Sequence, residues 1–191
     1  ASVTLRPGIQ ALLQDAQAGK FDTVLAEALD RISRDFCVDT GRAYALGISN
    51  GGGLAAMLGC RLADRFAGYA TIAGAFYPEA GECHPSRALP LNNFHGTRDT
   101  VVPYNGDPAK GQPPIPQWLD QRAAINGCRT KASTETPAPN VERERWQSCA
   151  APVEHYRIIE GGHGWPTQVD TSRVVWNFLT TTGTAVPRGR G

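Results

Sequence analysis

The chain is short of lysine, of net charge and of long apolar runs, and each shortage excludes something. Lys20, Lys110 and Lys131 are the only lysines among 19 basic residues, and 18 acidic residues leave a net charge of +1. A chain so nearly balanced lacks the broad electrostatic grip that nucleic acid or an acidic membrane surface demands. No apolar run is long enough to span a bilayer. The 21 glycines and 14 prolines have no period, which excludes collagen-like and low-complexity readings. There is no internal repeat and no charged-then-apolar signal pattern over Ala1 to Pro7. No C-x-x-C pair occurs, and His84, His95 and His155 are not spaced as ligands, so no metal or cofactor is expected.

What is present is one domain's worth of chain, 191 residues with 41% hydrophobic content. The five cysteines lie at 37, 60, 83, 128 and 149. That number suits secreted-type disulfides with one thiol left over. Cys128 and Cys149 flank the polar stretch Lys131 to Asn140, which reads as a floppy insertion, so a bridge between them would staple it. Cys37 and Cys60 lie near one end of the expected sheet and form a reasonable pair, with Cys83 competing for either.

Ile9, Leu12, Leu13 and Ala16 mark a first helix between Pro7 and Gly19. Phe21, Val24, Leu25, Ala28, Leu29, Ile32 and Phe36 mark an amphipathic helix from about Asp22 to Phe36. Short apolar runs follow at Ala43–Leu46, Phe66–Ala73, Leu89–Phe94 and Val153–Ile159, with helical text at Gly51–Leu62, Trp118–Asn126 and Val174–Leu179. Gly106 to Pro116 reads as loop. Apolar strands alternating with helices predict an α/β fold with a mostly parallel sheet flanked by helices.

Three motifs sit at strand ends. Gly47-Ile48-Ser49-Asn50-Gly51 fits G-x-S-x-G between a strand and a helix, where a sharp turn presents Ser49 at a helix N-terminus. A plain glycine-rich turn would look the same, and a phosphate loop is excluded because no Lys-Ser/Thr follows. Phe94-His95-Gly96-Thr97-Arg98-Asp99 supplies an acid able to orient a histidine, although loop aspartates more often cap turns. His95 reads as support for that loop. Gly161-Gly162-His163-Gly164 supplies a loop histidine that can serve as general base. The chain order Ser49, Asp99, His163 is that of α/β-hydrolases.

From about Phe36 to Leu179 the chain resembles the polyhydroxybutyrate depolymerases and feruloyl or acetylxylan esterases. The matching text is Phe36-Cys37-Val38-Asp39, Gly47-Ile48-Ser49-Asn50-Gly51-Gly52, Phe94-His95-Gly96-Thr97 with Asp99, Val102-Pro103-Tyr104, Asn126-Gly127-Cys128 and Gly162-His163-Gly164-Trp165-Pro166. The resemblance implies a secreted serine carboxylic ester hydrolase acting on feruloyl, acetyl or short polyester substrates through an acyl-enzyme. Ser49 would attack, His163 would carry the proton and Asp99 would orient it. The Asn50 N–H would donate one oxyanion bond. Trp165 and Tyr104 would flank the substrate or simply pack.

The first 48 residues depart from that pattern. They contain no early strands and no early His-Gly motif, the usual source of the second oxyanion donor. Arg6-Pro7-Gly8-Ile9-Gln10-Ala11-Leu12-Leu13, Lys20-Phe21-Asp22 and Ala28 to Asp35 instead resemble the middle of a serine recombinase catalytic domain. Arg31 and Arg34 match its phosphate-contacting arginines, but the nucleophilic serine segment and the DNA-binding part do not appear. The expected organisation is a recombinase-like helical segment over 1–35 that lends a helix to the hydrolase, a catalytic core over 36–181, and a disordered tail over 182–191. The core would be an N-terminally truncated α/β-hydrolase. The alternative is a weak or inactive remnant lacking a full oxyanion hole, since one missing donor costs about two to three orders of magnitude in turnover. A nucleic-acid-binding remnant through Arg6, Arg31 and Arg34 has little charge to support it. Truncation also bares one edge of the nucleophile strand, for which a second copy of the chain or a strand from Ser2 to Leu5 is the expected cover.

Overall fold

A computed structural model describes residues 39–77 and 82–183, apart from the side chains at 40 and 131–133. The chain divides into two units, Ala1–Val38 and Asp39–Gly191. The two helices expected before residue 37, Cys37, the recombinase-like arginines and the tail beyond residue 183 lie outside the described residues.

The second unit is built on a six-stranded sheet. Its strands are β1 (Tyr44–Ile48), β2 (Gly68–Ile72), β3 (Leu91–Gly96), β4 (Thr130–Ala138), β5 (Val141–Gln147) and β6 (Val153–Ile158). The spatial order is β1-β2-β3-β6-β5-β4. The first four strands in that order are parallel, and β5 and β4 add antiparallel pairs. The mostly parallel α/β-hydrolase-like architecture expected from the apolar runs is therefore present. Among the described residues β1 is an edge strand.

Every residue of β2 and β3 is buried, as central parallel strands covered on both faces require. Alternation divides them between two cores. On one face Leu91, Tyr69 and Val153 pack with Ala55 and Ala56 of α1 (Asn50–Arg61) and with Trp118 and Leu119 of α2 (Ile115–Ile125). On the other, Ile72, Phe94, Tyr156 and Ile158 meet Val175, Phe178 and Leu179 of α3 (Thr171–Thr182). Asp170 caps α3 by accepting the Arg173 N–H, an arrangement worth about 1 kcal/mol. Helix α2 starts three residues before the expected Trp118. Pro116 fits its first turn, where a missing N–H costs nothing.

The stretch read as a floppy insertion is in fact ordered. Residues 130–147 form a hairpin that extends the sheet beyond β6. Pro139 and Asn140 make its two-residue turn, with Asn140 in the left-handed region at φ 59. Val141 and Trp146 anchor β5 in the two cores, while Glu142 pairs with Arg157 and Arg143 with Glu135. Cys128–Cys149 closes the base of this hairpin, as expected.

The other bridge is Cys60–Cys83, not Cys37–Cys60. The chain leaving β2 returns past the end of α1 and brings the Cα atoms of Cys60 and Cys83 to 5.5 Å, within bridging range. Of the five cysteines, Cys37 is the one outside these two bridges. Titration with a thiol reagent in denaturant is expected to find one sulfhydryl before reduction and five after; three before reduction would mean that one bridge is not made.

Candidate active site

The three motifs lie at the carboxyl ends of β1, β3 and β6, where open α/β sheets present their ligand sites. Ser49 is the one-residue turn between β1 and α1, with φ 56 and ψ −124. A side chain held in this region stores about 1–3 kcal/mol of strain. The surrounding backbone keeps it there. The Ser49 N–H donates to Ile72 O at 2.9 Å, and its carbonyl accepts from Gly53 N and Ala75 N at 3.1 and 3.0 Å. A Cβ at Gly47 would lie 2.1 Å from Gly51 O, and one at Gly53 would lie 2.0 Å from Ala75 O. Glycine is needed at those two positions by close approach. Gly51, the second glycine of the motif, has open space beside it.

Asp99 follows β3 and is buried. Its Oδ1 accepts the N–H groups of Val101 and Val102 at 2.9 and 2.8 Å. Its Oδ2 accepts from His163 Nδ1 at 2.8 Å and faces His95 Nε2 at 3.3 Å. Burial pushes the Asp99 carboxyl up, but hydrogen bonds from His95, Val102, His163 and Val101 outweigh it and hold the group well below the usual carboxylate range. Asp99 is therefore an anion at any working pH. His95 also donates from Nε2 to Val102 O at 2.8 Å, while its Nδ1 is buried without a hydrogen-bond partner. That contact ties β3 to the acid loop.

His163 stands on the glycine-rich loop after β6. The two loops are joined along their backbones: Thr97 N donates to Ile158 O, and Arg98 N to Gly161 O. With Nδ1 turned to Asp99, Nε2 is the ring nitrogen of His163 left to face a reacting group. Its side chain is 21% exposed. Ser49 and His163 are not hydrogen-bonded to each other among the described residues; in ligand-free sites such bonds are often long.

The remaining candidates separate. Asn50 begins α1, where the first backbone N–H groups have no partner within the helix. Tyr104 lies in the core, its hydroxyl 2.9 Å from His155 Nε2 and its phenol pushed up by burial. Trp165 is half-buried against the core that contains α3. Tyr77, which the motifs did not single out, is exposed beside the elbow and donates to Asn50 Oδ1 at 3.4 Å. No residue in the text around it marks it; only the return of the chain after β2 brings it there. No metal-binding cluster occurs among the described residues.

Comparisons with known proteins agree with both halves of the sequence reading. The resolvase N-terminal domain family model matches residues 1–47. Feruloyl esterase B of Piromyces equi is 35% identical over 167 residues, which cover 79% of this chain and 29% of that protein. A probable feruloyl esterase C of Aspergillus terreus is 27% identical, over 86% of this chain and 60% of its own length. An acetyl xylan esterase from Aspergillus awamori superposes with a TM-score of 0.57 at 13% identity, covering 78% of this chain and 63% of that one. The chain thus spans less than two thirds of each of these proteins. It is a homologue of feruloyl esterases over 79% of its length, with an α/β-hydrolase-like fold.

Proposed function

We propose that the chain hydrolyses carboxylic esters, of feruloyl, acetyl or short polyester type, through an acyl-enzyme. The observation that carries this reading is the 2.8 Å hydrogen bond from His163 to the buried Asp99, on the rim that also holds the strained Ser49 turn. Ser49 Oγ attacks the ester carbonyl while His163 Nε2 takes its proton. The imidazolium, stabilised by Asp99, then protonates the departing alcohol oxygen as the C–O bond breaks. Water attacks the acyl-Ser49 carbonyl in turn and gives its proton to His163, which hands it to Ser49 Oγ as the bond between Oγ and the acyl carbon breaks and the acid is released. The Asn50 N–H stabilises the oxyanion in both steps.

A second copy of the chain pairing along β1 remains our proposal for the partner, since that strand is an edge among the described residues. Two disulfides favour an oxidising compartment such as the exterior of the cell.

A fluorophosphonate probe tests the nucleophile directly. Mass spectrometry is expected to find one adduct, on the peptide containing Ser49, that disappears in Ser49→Ala. Labelling of another serine, or none, would sink the proposal.

A further inference from the structure

A cavity of 720 Å³ opens between α1 and α2. It begins beside the elbow, at Asn50 and Tyr77, and runs to Arg122 in the third turn of α2. Leu54, Met57 and Trp118 give it apolar walls. Trp118 is stacked on Phe76, with ring centroids 3.6 Å apart and planes 3° from parallel. The Arg122 guanidinium lies over the Trp118 ring, 5.1 Å from its centroid. Its Nε and Nη1 are shut off from solvent and have no hydrogen-bond partner.

Arg122 lines this cavity, and among the described residues no carboxylate does so. Tyr69 is the ionisable group that acts on Arg122. Burial pushes its phenol up to about 12, so it is neutral at physiological pH and supplies no counter-charge. Burial likewise pulls the Arg122 guanidinium down, yet arginine stays charged in proteins. A half-buried cation without an anion is strongly disfavoured, and the fork of a carboxylate is the partner that its planar donors fit.

We propose that this cavity binds an organic carboxylate with a planar apolar body, its acid group on Arg122 and its body along Leu54 and Met57. The apolar walls suit such a body better than a small hydrated anion like phosphate. The site does not depend on Ser49 being a nucleophile, although acids of this class are what aromatic ester hydrolysis would release.

Benzoate is the probe, with benzamide as its uncharged counterpart, and intrinsic tryptophan fluorescence of the full chain reads the binding. Benzoate is expected to saturate with one site per chain and at least tenfold tighter than benzamide. Ser49→Ala should bind it as wild type does. Arg122→Gln should weaken benzoate at least tenfold and leave benzamide unchanged, while Arg122→Lys should fall between. Met57→Trp, which fills the cavity without touching the charge, should abolish binding of both. Equal affinity for benzoate and benzamide, displacement of benzoate by equimolar phosphate, or no saturation by roughly ten millimolar would overturn the proposal. Loss of hydrolysis with benzoate binding intact would count against the esterase reading alone.

Discussion

Ser49→Ala is expected to lower kcat on p-nitrophenyl acetate by about six orders of magnitude, the loss seen when the nucleophile of a serine triad is removed. The residue left behind keeps the turn but has no oxygen to attack with. Background hydrolysis would then rest on binding and on the oxyanion donor alone. The comparison with Ser49→Gly adds information that activity cannot. Both variants should be equally inactive, yet they differ in strain, because alanine at φ 56 and ψ −124 is as strained as serine and glycine is not. Ser49→Gly is therefore expected to be more stable than Ser49→Ala, by about 1 kcal/mol after the larger chain entropy of glycine is subtracted. Urea midpoints of the two variants measure it. An alanine variant within tenfold of wild-type kcat would remove Ser49 from the mechanism.

Asp99→Asn is expected to cost about four orders of magnitude in kcat near pH 7. An amide fits the space, but one of its two ends must turn an NH₂ toward donors. Facing His163 Nδ1, it favours the tautomer that places the proton on Nε2, where a base is needed. Facing Val101 and Val102, it leaves two backbone N–H groups without their acceptor. The same carboxylate governs acid stability. Its folded-state pKa lies below the usual range, so its stabilisation is fully present above the unfolded value of about 3.9 and is lost as pH falls below it. Wild-type stability should therefore decline with acid below about pH 4, and the Asn variant should decline less over that interval. Thermal midpoints at pH 7, 4 and 3 for both proteins check the sign. A rate within tenfold of wild type would show that His163 is oriented by something else.

The parts of this molecule that could be read from its text are those where chain neighbours do the work. Ser49 sits between Gly47 and Gly53, which close approach of the backbone requires, and Asp99 and His163 follow apolar strands that must be central. Each was visible because its environment is local. The hairpin of β4 and β5 was hidden for the opposite reason. Glu142 to Arg145 alternates charge with charge, and only pairing with β6 and Glu135 makes that pattern a strand. Cys83 won the bridge to Cys60 through a return of the chain that spacing does not encode. Arg122 stands four residues after Trp118 on the same helix face, which reads as a solvated arginine over an indole. That its Nε and Nη1 have no hydrogen-bond partner among the described residues emerges only from the packing around it. Tyr104 belonged to a motif rich in site residues, and its burial against His155 follows from long-range packing.

The hairpin turn has a consequence for how such a site can change. Asn140 O accepts the Ile159 N–H, so Pro139 and Asn140 lie at the end of β6 from which the His163 loop departs. The disulfide holds the opposite end. Residues added between Pro139 and Asn140 would lengthen the turn over the rim while every strand register and both cores stay in place. The rim on that side can therefore be extended by changing the length of one turn, with Asp99 and His163 left where they are.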